Sequence, residues 1–190
     1  MKKQPFLDKE LFSHSLSYGG ILRNKRKGRS ARPLSPKNPI HLVLKGTLAK
    51  KEWSFRIPKN HRIVSVLLEQ LSKAYGIRID QKAIQGDHIH LLLRVRNRSL
   101  YKRFIRSLSG QIAMFVTDAR NSAKSLKKEG IRFFKYRPFT RVVKGWKPYQ
   151  TAKAYVILNA DFYPQVSRSK SGRHDEIKWS HFFECLPASP

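Results

Sequence analysis

The stretch "GDHIHLLLRV", Gly86 to Val95, decides the fold. It places two histidines, His88 and His90, at the head of a run of leucines. A β-strand sends successive side chains to opposite faces. Ile89, Leu91, Leu93 and Val95 therefore share one face. His88, His90, Leu92 and Arg94 share the other. The apolar set needs a hydrophobic layer against it, and helices are expected there. The two imidazoles then point from the opposite, open face of the sheet.

The flanking segments supply the layers. "IRIDQKAIQ" (77–85) alternates, with Ile77, Ile79 and Gln81 on one face and Arg78 and Asp80 on the other. The Gly86-Asp87 pair makes the turn between these two antiparallel strands. Upstream, "IHLVLKG" (40–46) is short, apolar and β-branched at Ile40 and Val43, which predicts a strand. In "RIPKNHRIVSVLLEQLSKAYG", Ile63, Val66, Leu67, Leu71 and Ala74 keep helical spacing, and Gly76 stands where a C-terminal cap belongs. Downstream, "SLYKRFIRSLSGQIAMFVTDAR" (99–120) carries Leu100, Phe104, Ile105, Leu108, Ile112 and Phe115 on one helical face, with Ser99 as the N-cap. "FTRVVKG" (139–145) predicts a strand. "PYQTAKAYVILNADFY" (148–163) predicts a helix with Pro148 in its first turn.

The order is β-α-β-β-α-β-α. Its first six elements are a ferredoxin-like split βαβ arrangement. The expected fold is α+β: a four-stranded antiparallel sheet, RRM-like, with two helices on one face. The 148–163 helix lies near the other face. Residues 1–38, with "RNKRKGRSARPLSPKNP", read as a basic N-terminal arm, 39–163 as the domain, and 164–190 as a C-terminal tail whose "IKWSHFFECL" is expected to dock on it.

Charge narrows the partners. Among 190 residues, 40 are Lys or Arg and 12 are Asp or Glu, a formal net charge of +28. Such an excess calls for a polyanion, and nucleic acid is the first choice because each phosphate met by a cation releases a counterion. The basic residues are spread along the chain rather than gathered on one amphipathic helix, which disfavours a membrane surface. No apolar run of secretory or membrane-spanning length occurs. Cys185 is the one cysteine, so no intrachain disulfide forms, as suits a reducing cytosol. A cytoplasmic, nucleoid-associated protein is expected. A nucleic-acid enzyme and a non-catalytic nucleic-acid-binding protein on an RRM-like sheet both satisfy these bounds.

His88 and His90, two apart on one strand face, lie about 6.5–7 Å apart along the strand. From there two imidazole nitrogens can converge on one metal ion, with bonds near 2 Å. Equally, the pair can be two polar residues on a solvated face. On the 148–163 helix, Tyr155 and Asn159 are four apart and share a face. Asn offers a carbonyl oxygen to a hard cation and Tyr a phenol nucleophile. Tyr155 can as well be a core aromatic. His14, His41, His61, His174 and His181 have no comparable pairing, and whether His41 shares the sheet face is not fixed by the sequence.

"GDHIHLLLRV" followed by "AYVILNA" resembles the single-tyrosine HUH transposases. Their His-hydrophobe-His triplet reads His88-Ile89-His90 here, and Tyr155 and Asn159 fit their tyrosine helix. "GGILRNKRKGRSARPLSPKNPIHLVLK" and "RPFTRVV" resemble the branch of REP-associated tyrosine transposases. The resemblance covers about residues 18–162 and implies a transposase of the IS200-like superfamily. It implies a divalent cation, Mg²⁺ or Mn²⁺, on His88, His90 and Asn159, and Tyr155 as the nucleophile that forms a 5′-phosphotyrosine. Tyr163 is a second candidate nucleophile. No Walker-type glycine loop occurs, which fits a reaction without ATP. A relaxase, also an HUH enzyme, is less well matched, because relaxases have a longer chain and an HUH spacing with a third histidine that is not found here.

The resemblance also implies single-stranded or hairpin DNA as the partner, with the protein a monomer or a homodimer. Arg26, Arg29 and Arg32 of the arm, Arg94, Arg103 and Arg106, and Lys127 and Lys128 of the 121–130 loop are the expected DNA contacts. Phosphate contacts of this kind position the DNA without reading its sequence. Trp146, Phe139 and Tyr101 are aromatics able to stack unpaired bases or to pack in the core.

Overall fold

The computed structural model describes residues 16–19, 32–119 and 132–161. The 121–130 loop, the 164–190 tail and much of the 1–38 arm lie outside them. The elements are β1 (Ser17–Tyr18), β2 (Ile40–Lys45), a 3₁₀ turn (Lys51–Trp53), α1 (Pro58–Ala74), β3 (Arg78–Ile84), β4 (His88–Arg94), α2 (Arg98–Val116), β5 (Phe139–Val142) and α3 (Trp146–Asp161). The antiparallel sheet runs β1-β5-β2-β4-β3. It has a fifth strand beyond the expected four. Ser17–Tyr18 pairs with Thr140 and Arg141, so part of the stretch read as an arm joins the sheet. Two residues are too few to show a period in sequence.

Alternation along the two central strands builds the core. Ile40, Leu42 and Leu44 of β2 and Ile89, Leu91 and Leu93 of β4 are fully buried on one face. Against them pack Ile63, Val64, Leu67, Leu68 and Leu71 of α1 and Tyr101, Phe104, Leu108 and Ile112 of α2. Each such side chain stabilises the fold by about 1.5–3 kcal/mol when removed from water. On α1, Val64 and Leu68 face the core, whereas the expected Ala74 is exposed. Pro58 opens α1, where its missing N–H is no loss. Gly76 follows its C-terminus at φ +59°, a left-handed conformation that glycine adopts without strain.

Three boundaries differ from expectation. Helix α2 is capped by Asn97, whose side chain accepts from the Leu100 N–H at 2.9 Å, and not by Ser99. Both residue types suit the position, and the extended backbone at Asn97 decides it. Helix α3 begins at Trp146, two residues before Pro148. In β3 the alternation breaks: Ile79 pairs with Leu93 and Gln81 with Leu92, so Asp80 is an extra residue in a bulge. Its buried carboxylate accepts from Arg94 Nε at 3.0 Å and from the Tyr149 hydroxyl at 3.2 Å.

Helix α3 lies on the second face, as expected. Leu92 of β4, Val143 and Ala152 form a small buried cluster there, with Tyr149 packed against it. The Asp80–Tyr149 hydrogen bond fastens the first turns of α3 to the bulge. Both contacts fix which residues of α3 look down on the histidine end of the strands.

Candidate active site

Strand register gathers three histidines. Val43 is the Cα partner of His90, and Lys45 that of His88. His41, two residues before Val43, is the diagonal neighbour of His90, a distance that aromatic side chains bridge. The His41 and His90 rings are nearly parallel, 11° apart, with centroids at 5.5 Å. His41 Nε2 lies 3.3 Å from His90 Nδ1. His88 meets His90 edge-on at 4.8 Å.

Helix α3 adds the phenol. The Tyr155 ring stands edge-on to His90 at 5.4 Å and to His41 at 5.8 Å. One turn on, Asn159 donates from Nδ2 to the Tyr155 carbonyl at 2.7 Å, which leaves Oδ1 as the acceptor of its amide. Gln85, at the end of β3, donates from Nε2 to the Asn159 carbonyl and ties this part of the helix to the hairpin. The structure thus brings together His88, His90 and Tyr155, with Asn159 a turn from the phenol. Sequence reasoning left the face of His41 open and did not foresee the contact of Gln85 with the helix. The alternation of β2 places His41 opposite Ile40 and Leu42, but only the register with β4 sets it beside His90.

The electrostatics leave ring nitrogens open to a cation. His90 is pushed down to about 3, by burial first and then by His41 and His88. His41 is pushed down to about 4, by burial and then by Arg141. Both rings are neutral near pH 7. Asp87 Oδ1 lies 2.6 Å from His88 Nδ1, and Lys45 Nζ lies 3.3 Å from Asp87 Oδ2. Burial raises the Asp87 pKa, but His88 and Lys45 outweigh it and hold the carboxyl below its ordinary range. In a neutral ring, a carboxylate on Nδ1 selects the Nδ1–H tautomer, in which Nε2 is the nitrogen of His88 able to meet a cation. His90 Nε2 is buried without a hydrogen-bond partner. Among the described residues no group of three or more His, Cys, Asp and Glu is placed to hold a metal. A cation at this position would therefore draw on His88, His90 and an amide oxygen such as that of Asn159. The orphaned Nε2 and the Asp87-oriented ring fit such a group.

The expected DNA contacts separate. Arg32 and Arg106 line a cleft of about 610 Å³ together with Arg98, Lys102, Arg137 and Tyr18. Arg32 donates to the Thr140 hydroxyl at 2.7 Å and to the Pro138 carbonyl at 2.8 Å, and stacks on Tyr18. Arg94 is engaged by Asp80, and Arg103 lies over the Tyr75 ring at 6.0 Å. Arg26, Arg29, Lys127, Lys128 and Tyr163 lie outside the described residues. Tyr101 is a core residue, 3% exposed, whereas Trp146 is 73% exposed and stacked on Tyr149.

Comparison with known proteins gives three findings. The family described as "Transposase IS200 like" matches residues 36–158, well over half of the chain. No curated protein matches. Among solved structures, a REP-associated tyrosine transposase bound to a REP hairpin is similar in fold, with a TM-score of 0.50 and 10% identity over 70% of this chain and 72% of that one. A protein from Deinococcus radiodurans R1 assigned as a transposase aligns at a TM-score of 0.39 and 16% identity, over 70% of this chain and 97% of that one.

Proposed function

The chain belongs to the IS200-like transposase family, and from that premise we propose that it cuts and rejoins single-stranded DNA through Tyr155. The observation that carries this reading is the Tyr155 ring set edge-on against His90 and His41 by a helix packed on the same chain's sheet. Its phenol oxygen attacks the scissile phosphorus. The bond from phosphorus to the 3′ oxygen breaks, and a bond from phosphorus to the tyrosine oxygen forms. The phenol gives up its proton, and the 3′ oxygen leaves as a hydroxyl. One phosphoester replaces another, so no nucleotide cofactor is consumed. Attack by a 3′ hydroxyl on the 5′-phosphotyrosine reverses the exchange and joins strands, so one difficult step becomes two easier ones. A divalent cation, Mg²⁺ or Mn²⁺, held by His88, His90 and Asn159 would supply neutralisation of the phosphate charge and its orientation for in-line attack. Asp87 keeps the His88 ring in place, and Gln85 keeps Asn159 over the strand end.

DNA is positioned elsewhere, on the helix face of the sheet. Arg98, Lys102 and Arg106 follow one another at four-residue intervals on α2, and like charges so spaced repel. No acidic residue occurs from His88 through Thr117 to relieve them. A DNA backbone, hairpin or single strand, supplies the missing negative charge, with Arg32 and Arg137 completing the cleft.

The test is a single strand carrying a hairpin and a label at its 3′ end, since a 5′-phosphotyrosine retains the DNA on that side of the cut. Wild-type protein with Mg²⁺ should carry the label through denaturation. Tyr155→Phe should bind the hairpin normally and carry none. His88→Ala should lose cleavage and keep binding. Label on the Phe variant would place the nucleophile elsewhere. A wild-type protein that binds hairpins yet forms no adduct with either cation would favour a non-catalytic DNA-binding protein.

A further inference from the structure

His41 has no role in the chemistry above, yet it touches the site at two points. Its ring lies beside His90 and edge-on to Tyr155. Its Nε2 is within hydrogen-bond distance of His90 Nδ1, at 3.3 Å. A neutral imidazole carries one proton, on one nitrogen or the other. Two arrangements of this pair are possible. If His41 donates, the His90 proton must sit on Nε2, which is buried and faces no acceptor. If His90 donates from Nδ1, its Nε2 is left as a lone pair, and no buried N–H is stranded. Val43, directly across from His90 in the register, has an apolar side chain that cannot compete for Nδ1. The pairing mirrors that of Asp87 with His88 Nδ1, at 2.6 Å.

We propose that His41 is a positioning residue: its Nε2 accepts the Nδ1–H of His90 and so fixes His90 as an Nε2 ligand. The inference rests on the cation reading of the site and names a residue of β2 that completes it. A second partner on a ligating histidine holds both its tautomer and its ring orientation. Asp87 does this for His88 from the turn, and His41 does it for His90 from the neighbouring strand. A neutral acceptor in place of a carboxylate adds no negative charge beside Tyr155, whose phenol must meet an anionic phosphate.

Packing alone predicts something different from hydrogen bonding, and two variants separate them. His41→Phe keeps the ring and its contacts with His90 and Tyr155 but removes the acceptor. His41→Gln loses the ring but keeps an acceptor. Long-range ¹H–¹⁵N correlation spectra of the cation-free, full-length protein report the His90 tautomer directly. The expected result is a proton on Nδ1 in the wild type and in His41→Gln, and its loss from Nδ1 in His41→Phe. Mn²⁺ affinity, measured by electron paramagnetic resonance, should fall about 10–100-fold in His41→Phe and much less in His41→Gln. Hairpin binding should not change in either. A wild-type His90 protonated on Nε2 overturns the proposal, whatever the variants do. So does a Phe variant that binds Mn²⁺ like the wild type while the Gln variant fails. Absence of Mn²⁺ binding by a wild type whose His90 carries its proton on Nδ1 would instead overturn the cation reading, and with it the role assigned to His41.

Discussion

His90 shows how burial sets the chemistry of a residue. Its ring and that of His41 sit among neutral and cationic neighbours, and both refuse protons that the unfolded chain accepts. Their folded-state values, about 3 and about 4, lie below the ordinary 6.5. The unfolded state therefore binds more protons between those values and 6.5. Stability is full above about pH 6.5 and falls as the pH drops toward 4 and then 3. Denaturant melts at about pH 7.5 and about pH 5 should show the loss, and His41→Gln should show less of it. Equal pH dependence in the two proteins would remove His41 from the account. Much of this site was legible in the sequence. Strand alternation put His88 and His90 on one face, and a four-residue spacing put Asn159 a turn from Tyr155. The contact of His41 with His90 was not legible, because it depends on how β2 and β4 align and no local pattern records that register.

At the scale of elements, the periods of 2 and 3.6 carried the prediction, and the exceptions have separate physical causes. The bulge at Asp80 inserts a residue that strict alternation cannot contain, and its buried carboxylate answers to Arg94 and to Tyr149 of a helix nearly seventy residues away. The two-residue strand Ser17–Tyr18 is held by partners in β5 rather than by its own pattern. At α2 two good capping residues stand two apart, and only the backbone conformation selects Asn97 over Ser99. That choice is testable. Asn97→Ala should destabilise the protein by about 1 kcal/mol, and Ser99→Ala should do little, in denaturant melts. The reverse order would return the cap to Ser99.

At the scale of the molecule, the two faces of one sheet carry different groups. The histidines and Tyr155 occupy one face, and the cleft of Arg32, Arg98, Lys102, Arg106 and Arg137 lies on the other, along α2. The composition foretold a polyanion but not this division, which depends on Arg32 bridging Tyr101 of α2 and Thr140 of β5, with Arg98 donating to the Arg32 carbonyl. Affinity for hairpin DNA should fall steeply with salt, and replacing both Lys102 and Arg106 with Gln should lower the slope of log K against log salt by about 2. An unchanged slope would take the cleft out of the DNA path. The central claim is that Tyr155 becomes joined to DNA. Its most direct measurement is tandem mass spectrometry of the trypsin-digested wild-type adduct formed on hairpin-bearing single-stranded DNA. The peptide beginning at Ala154 holds both Tyr155 and Tyr163, and its fragment ions tell them apart. The account predicts the nucleotide on Tyr155; a nucleotide on Tyr163, or on any other residue, would contradict it.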